Sequence, residues 1–230
     1  MENAKLLFKF FLVSAVCLQG LLASAAVQNK DAPKGGNINI AMGSEPTTIH
    51  PIKATDVPSF KILDRVCDSL LTRDSNTYDW LPRIASEWEI SKDRKVFTFK
   101  LNKAAKFHDG KPITAEDVKF SFDAIFEAKY EAAHLQPYYE GIQKIEIIDS
   151  HSIKAYAKDN YFKNFDVIAG LTVIPKHVYS DVEKSNKMNK SIVCSGPYAL
   201  DRYNTGQTIV LKKFDEWYGN EQEIWKGVYN

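Results

Sequence analysis

The segment from Trp88 to Phe122 constrains the fold of this chain most, because it encodes a strand, a turn and a helix in one continuous run. In its first part, Phe97, Phe99 and Leu101 alternate with polar residues. An alternation of period two is typical of a strand with one buried face. Residues 108–112 follow with a glycine and a proline, the residues that most often form turns. The sequence therefore predicts a half-buried strand that ends in a tight turn.

A helix is predicted directly after this turn. Thr114 and Asp117 have the spacing of a capping box, in which a hydroxyl and a carboxylate satisfy the exposed donors of the first helical turn. The apolar residues that follow have helical spacing and are Val118, Phe122, Ile125 and Phe126. Nothing in this pattern is catalytic, so we interpret the segment as scaffold.

The same segment resembles the signature of a family of periplasmic proteins. Its strand, turn and helix are similar to those of the solute-binding proteins of the oligopeptide and dipeptide import class, solute-binding family 5. The matching stretches here are 97–101, 106–112 and 114–121, with flanking matches at 44–51, 81–88, 195–198 and 214–219. The likeness extends over nearly all of the chain after its first residues.

The resemblance implies a mixed α/β fold, the first lobe of a type II-like periplasmic binding protein with its small extra subdomain. Residues 26–58 and 176–230 would form this incomplete first lobe, and residues 59–175 the small inserted subdomain. Family members have two lobes that close over the ligand, and we expect the second lobe to be absent here. The chain would then be a fragment, a truncated reading frame or a solitary lobe.

The first 25 residues are predicted to be a signal peptide. Two lysines precede an apolar run over residues 10–22, and the small residues 23–25 fit a cleavage site after Ala25. We therefore expect export to the periplasm. The alternative is a lipid anchor on Cys17, although the residues before this cysteine are a poor match for lipidation. Without the leader, 30 basic residues become 28 and 29 acidic residues become 28. This balance predicts no nucleic-acid partner.

Other elements are predicted from periodicity. A first strand is expected from Ile38 to Gly43 and a helix from Ser59 to Leu71, with Phe60 on its buried stripe. Strand pairs are expected at 142–148 with 152–157, and within 198–211 around Thr205-Gly206.

The chain shows no enzymatic or metal-binding motif. The five histidines lack the spacing of a zinc site and are interpreted as turn and surface residues; they are His50, His108, His134, His151 and His177. No nucleophile elbow, phosphate loop or dinucleotide fingerprint is present. We therefore predict no catalytic residues, no metal and no cofactor.

Cys67 and Cys194 are the two cysteines beyond the leader, and two interpretations of them stay open. In an oxidising compartment they could form a disulfide, which the entropic model credits with about 4–5 kcal/mol for a loop of this length. Alternatively, both are buried free thiols.

The resemblance implies that this protein is the solute-binding component of an ABC importer. A monomer would bind a short peptide or another small molecule and deliver it to a permease in the inner membrane. The family's cleft implies Ser44, Glu45, Pro46 and Thr47 as ligand-binding residues, with an exposed turn carboxylate as the alternative role of Glu45. Other ligands of the family are nickel chelates, haem, opines and oligosaccharides. A lobe without transport function is the further alternative.

Overall fold

The computed structural model describes residues 35–225 and 228–229. The predicted signal peptide and Cys17 lie outside the described residues. The helices are α1 (Val57–Val66), α2 (Ala115–Phe126), α3 (Gln136–Tyr139), α4 (Asn164–Ala169), α5 (Lys176–Tyr179) and α6 (Val182–Asn186). The strands are β1 (Leu71–Arg73), β2 (Trp80–Pro82), β3 (Ala85–Ile90), β4 (Val96–Leu101), β5 (Ile142–Asp149), β6 (Ser152–Ala157), β7 (Tyr198–Asn204) and β8 (Thr208–Lys213). This confirms the mixed α/β class, whereas the predicted domain boundaries stay predictions.

Helices and strands are mixed without strict alternation, and every strand pair within the described residues is antiparallel. β1 pairs with β2, β7 pairs with β8, and the largest sheet has the strand order β3-β4-β6-β5. A membrane-spanning helix needs about 20 apolar residues, and none of the helices described here has the length and apolarity to cross a membrane.

The predicted strand is β4, and it lies inside the four-stranded sheet. Phe97, Phe99 and Leu101 are buried, whereas Lys100 points to solvent. The predicted pair at 142–148 and 152–157 is the β5–β6 hairpin beside it, with Ile147 opposite Ile153. The alternation of apolar and polar residues predicted these strands, because one face of the sheet packs on the core and the other does not.

The turn and helix after β4 are also as predicted. Gly110 has a φ of +82°, a conformation that glycine adopts without steric cost. At the start of α2, the Thr114 N–H donates to Asp117 Oδ2 over 2.9 Å. Val118 and Phe122 then pack on the sheet in the main hydrophobic core. The segment therefore forms a compact scaffold of strand, turn and helix.

Helix α1 is shorter than predicted and begins two residues earlier. It ends at Val66 because Cys67 adopts an extended conformation, with φ −113° and ψ 139°. Leu70 and Leu71, which the helical pattern included, are buried instead in the main core. Phe60 was predicted to lie on the buried stripe, and this was wrong, because 43% of its surface is exposed.

The end of α1 is held by the segment around Cys194. The structure joins Cys67 to Cys194 by a disulfide, with the two Cα atoms 5.0 Å apart, inside the roughly 4.4–6.8 Å range of such bonds. The Gly196 N–H donates to the Val66 carbonyl oxygen over 2.8 Å. A Cβ on residue 196 would lie 2.7 Å from the Val66 carbonyl carbon. Only glycine fits at this close approach.

The first strand, predicted from Ile38 to Gly43, is not formed. These residues have no strand assignment, and Ile38 and Ile40 are 88% and 58% exposed. The alternation of Ile with Asn satisfies the local requirement for a strand. A strand also needs a hydrogen-bonded neighbour, and the described residues supply none to this segment.

His50 was interpreted as a turn or surface histidine. It does begin a turn, since its carbonyl oxygen accepts from the Lys53 N–H over 3.2 Å, but it does not lie on the surface. It is 1% exposed, and its Nε2 lies 2.9 Å from Ser185 Oγ in α6. The Ile52 N–H donates to His50 Nδ1 over 3.4 Å, which favours the neutral tautomer protonated at Nε2. Burial lowers the pKa of His50 to about 4, because a charged imidazolium is poorly solvated there.

The disulfide gives a first prediction. In protein that is produced under oxidising conditions and unfolded without reduction, Cys67 and Cys194 should be unreactive toward thiol reagents, and digestion should release them as one cross-linked peptide. Replacing both by alanine should lower the free energy of unfolding by about 4 kcal/mol, since the unfolded chain regains the entropy of a long loop. Two titratable sulfhydryls at these positions would show that the bond does not form.

His50 gives a second prediction. Its pKa falls from an ordinary value of 6.5 to about 4 on folding, so between these pH values the unfolded chain binds a proton that the folded chain does not. Stability should therefore decrease as pH falls from 6.5 toward 4, by about 3 kcal/mol. Urea unfolding at pH 7.5, 5.5 and 4.5 should show this loss in the native protein and a smaller loss in His50→Gln. The matched control is His151→Gln in the β5–β6 turn, and an equal pH dependence in all three proteins would refute the assignment.

Candidate functional site

The predicted ligand-binding residues, Ser44 to Thr47, form an irregular segment ahead of α1, with bends at Ser44 and Thr47. Ser44, Glu45 and Thr47 are exposed, whereas Pro46 is buried. The segment lies against the β7–β8 hairpin, which was predicted from the sequence and turns at Gly206 with a φ of +70°. We call residues 44–47 together with the hairpin tip, residues 203–207, the rim.

Glu45 is the main contact within the rim. Its Oε1 accepts a hydrogen bond from the Tyr203 hydroxyl over 3.0 Å, and its Oε2 accepts one from the Gly206 N–H over 3.1 Å. The Lys190 ammonium lies 3.5 Å from Oε1. These partners, first of all Tyr203, hold the pKa of Glu45 below its ordinary value. Glu45 is therefore not a solitary turn carboxylate, because it fastens the hairpin tip to the segment before α1.

Thr47 connects the same segment to α1. Its hydroxyl donates to Asp56 Oδ2 in a short hydrogen bond. Asp56 is the N-cap of α1, where its Oδ1 accepts from the Ser59 N–H over 3.0 Å. Hydrogen bonds to Ser59 and Thr47 hold the pKa of Asp56 below its ordinary value, although desolvation acts against them. Residues 44–47 are thus fixed at one end by the hairpin tip and at the other by the N-terminus of α1.

Sequence reasoning missed Tyr203, Gly206 and Lys190 as parts of this site. The hydrogen bond from Tyr203 to Glu45 joins residues 158 positions apart. Gly206 was identified as a turn residue, but no local pattern indicates which distant carboxylate its N–H binds. The rim therefore depends on tertiary structure.

A buried charged cluster fixes the segment after the hairpin. Asp68 Oδ2 accepts hydrogen bonds from Trp217 Nε1 over 2.8 Å and from the Tyr218 hydroxyl over 2.7 Å. Arg83 Nη1 lies 3.4 Å from Asp68 Oδ1, and its guanidinium carbon lies 4.0 Å from the centre of the Trp225 ring. We call these five residues the Asp68 cluster. The tryptophan and tyrosine of the 214–219 motif, Trp217 and Tyr218, are therefore buried structural residues of this cluster.

The histidine and aspartate of the signature turn are structural in this arrangement. His108 places Nε2 3.0 Å from the Gly196 carbonyl oxygen, and Asp109 Oδ2 lies 2.6 Å from His177 Nε2. Desolvation of Asp109 is outweighed by its bond to His177, so its pKa lies below the ordinary value. These two contacts connect the turn to the segments that contain Gly196 and His177. Within the described residues, no group of three or more His, Cys, Asp or Glu side chains is arranged to hold a metal ion.

Known proteins with similar sequences bind solutes. The periplasmic oligopeptide-binding protein OppA of Escherichia coli K12 is 27% identical over 237 residues, which cover 93% of this chain and 43% of OppA. Among solved structures, NikZ of Campylobacter jejuni in complex with Ni(L-His) matches 76% of this chain and 35% of its own, with 25% identity and a TM-score of 0.67. AgaA of Agrobacterium tumefaciens R10, in complex with agropinic acid, matches 76% of this chain and 35% of its own, with 27% identity and a TM-score of 0.69.

This chain spans less than half the length of each of these proteins. The family model of bacterial extracellular solute-binding proteins, family 5 Middle, matches residues 79–229. That range contains the signature strand, turn and helix, the hairpin and most of the Asp68 cluster, and the match confirms the resemblance drawn from the motifs. The chain belongs to the bacterial extracellular solute-binding proteins of family 5.

Proposed function

We propose that this chain is the solute-binding component of an ABC importer and that its ligands are short peptides. The observation that carries the proposal is the family match over residues 79–229, together with the similarity to OppA, an oligopeptide-binding protein. The proposal includes export to the periplasm, a monomeric state and delivery of the ligand to a permease in the inner membrane.

The geometry of the rim supports ligand binding rather than chemistry. Ser44, Glu45 and Thr47 are exposed, and the hairpin tip lies beside them. Extended peptides are commonly bound through main-chain hydrogen bonds, which accept many side chains because every residue offers the same backbone groups. The contacts of Glu45 and Thr47 hold this backbone in place before a ligand arrives, so little ordering entropy is lost on binding.

The mechanism we propose is closure of a cleft around the ligand. A ligand that contacts both walls stabilises the closed form over the open one, and the permease then recognises the closed form. The rim would form one wall. A permanent hydrogen-bond network such as the one around Glu45 suits that role, because the wall must move as a unit.

A second candidate keeps the family but changes the ligand. The complexes of NikZ with Ni(L-His) and of AgaA with agropinic acid show that similar folds bind ligands other than peptides. Nickel–histidine and agropinic acid are therefore the comparison ligands in the test. A chain that binds none of these would favour a lobe without transport function.

The proposed function predicts heat on titration with peptides. Isothermal titration calorimetry of the purified chain with a pool of di- to pentapeptides should show saturable binding, with OppA of E. coli as the positive control. Glu45→Gln should weaken binding about fivefold to tenfold, because the hairpin tip loses a charged acceptor. The matched control is Glu87→Gln, an exposed strand carboxylate paired with Lys100, and it should leave the affinity unchanged. Heat from nickel–histidine or agropinic acid, without heat from peptides, would replace the proposed ligand class.

A further inference from the structure

A cleft lies beside α1 that neither the motifs nor the rim account for. It has a volume of about 290 Å³, and its wall includes Phe60, Asp64, Thr72 and Thr172. Small-molecule sites in proteins typically measure about 300–1,000 Å³. The cleft is therefore at the lower end of this range and suits a single head group or side chain.

Two residues of α1 give the cleft its chemistry. Phe60 and Asp64 are four residues apart, so their side chains are neighbours on one face of the helix. Phe60 keeps 43% of its surface exposed although the helix buries Ile62 and Val66 on another face. A half-exposed phenyl ring and a carboxylate thus lie side by side at the opening of a concave surface.

Among the described residues, the Asp64 carboxylate forms no ion pair with a lysine or an arginine, although the charge of its sequence neighbour Arg65 acts on it. Its neighbour Arg65 donates instead to the Lys61 carbonyl oxygen over 2.6 Å. Asp64 is an exposed residue; desolvation of its carboxyl at the cleft wall raises its pKa above the ordinary value, although the charge of Arg65 acts in the opposite direction.

The remaining charges of the cleft cancel each other. Asp68 and Arg83 also line the wall, and they are paired within the Asp68 cluster. Two carboxylates and one guanidinium leave a formal charge of −1 on the wall, and that charge belongs to Asp64. A ligand that supplies a positive charge at this position would pair with the Asp64 carboxylate.

We infer that this cleft binds an organic cation, a guanidinium or ammonium group that pairs with Asp64 and lies over the ring of Phe60. A cation over an aromatic face and a charge-assisted hydrogen bond to a carboxylate are the two interactions that recognise such groups. The threonines at positions 72 and 172 offer hydroxyl acceptors for remaining N–H donors. This inference does not depend on the ligand of the rim being a peptide.

L-Arginine amide is the probe that tests the inference, and L-citrulline amide is its match without the guanidinium charge. Titration of the ¹⁵N-labelled chain, followed by ¹H–¹⁵N correlation spectra, should give saturable shifts in α1 and around residues 170–172 for the first compound. The citrulline compound should bind at least about tenfold more weakly, because its uncharged urea group forms neither the ion pair nor the cation–π contact.

Three variants separate this site from a general effect. Asp64→Asn should weaken binding of L-arginine amide about tenfold or more, and Phe60→Leu about twofold to fivefold. Asp215→Asn, which removes an exposed carboxylate outside the cleft wall, should bind as the native chain does. Far-ultraviolet circular dichroism verifies that each variant is folded.

Saturation with the probe should also lower the pKa of Asp64, measured from its carboxyl ¹³C shift, since the bound cation favours the ionised form. Equal binding of both amides, shifts confined to the rim, or unchanged affinity in both Asp64→Asn and Phe60→Leu would each overturn the inference. Failure of peptides to bind in calorimetry would leave these shifts in place, so the two proposals fail separately.

Discussion

The buried carboxylate of Asp68 is the constraint on which the rest of this structure depends. An ion removed from water costs several kcal/mol unless its lone pairs are satisfied. Here Trp217 and Tyr218 donate hydrogen bonds to its Oδ2, and the Arg83 guanidinium supplies the opposite charge 3.4 Å from its Oδ1. Asp68 directly follows the end of α1, Arg83 lies at the end of β2, and the aromatic residues follow the hairpin, so one carboxylate joins three separate parts of the chain.

The contacts around this cluster extend the same organisation to the surface. The Cys67–Cys194 bond lies one residue before Asp68, and the Gly196 N–H closes the end of α1. From there the chain enters the β7–β8 hairpin, whose tip is tied to Glu45. The N-terminus of α1 is held by Asp56 and Thr47, which are near in sequence, and its C-terminus by the distant residues Cys194 and Gly196. The rim and the cleft both lie beside this helix. A protein that grips a solute benefits from such a wall, because binding energy is not spent on ordering it.

Charge is used differently in the three polar sites. At Asp68 both charges are buried and mutually paired. At Glu45 a partly exposed carboxylate holds the main-chain N–H of Gly206 and the hydroxyl of Tyr203, which positions a hairpin. At Asp64 an exposed carboxylate on the cleft wall forms no ion pair with a lysine or an arginine among the described residues. The pair at Asp68 stabilises the fold, and the contacts of Glu45 position the hairpin tip. The carboxylate of Asp64 is available to pair with a bound cation.

The elements that have a local sequence signal, such as alternation, a turn glycine or a capping box, were predictable from the sequence. Alternation defined β4 and the β5–β6 pair, Gly110 and the Thr114–Asp117 box defined the turn and the start of α2, and the ordered motifs defined the family. The sequence did not determine where α1 ends, that Phe60 is exposed, that His50 is buried, or that Ile38 and Ile40 lack a partner strand. Those features, like the contacts of Glu45 and Asp68, depend on residues far apart along the chain. A local pattern indicates which secondary structure a segment prefers. Burial, strand pairing and charge neutralisation depend on tertiary contacts between segments that are distant in sequence.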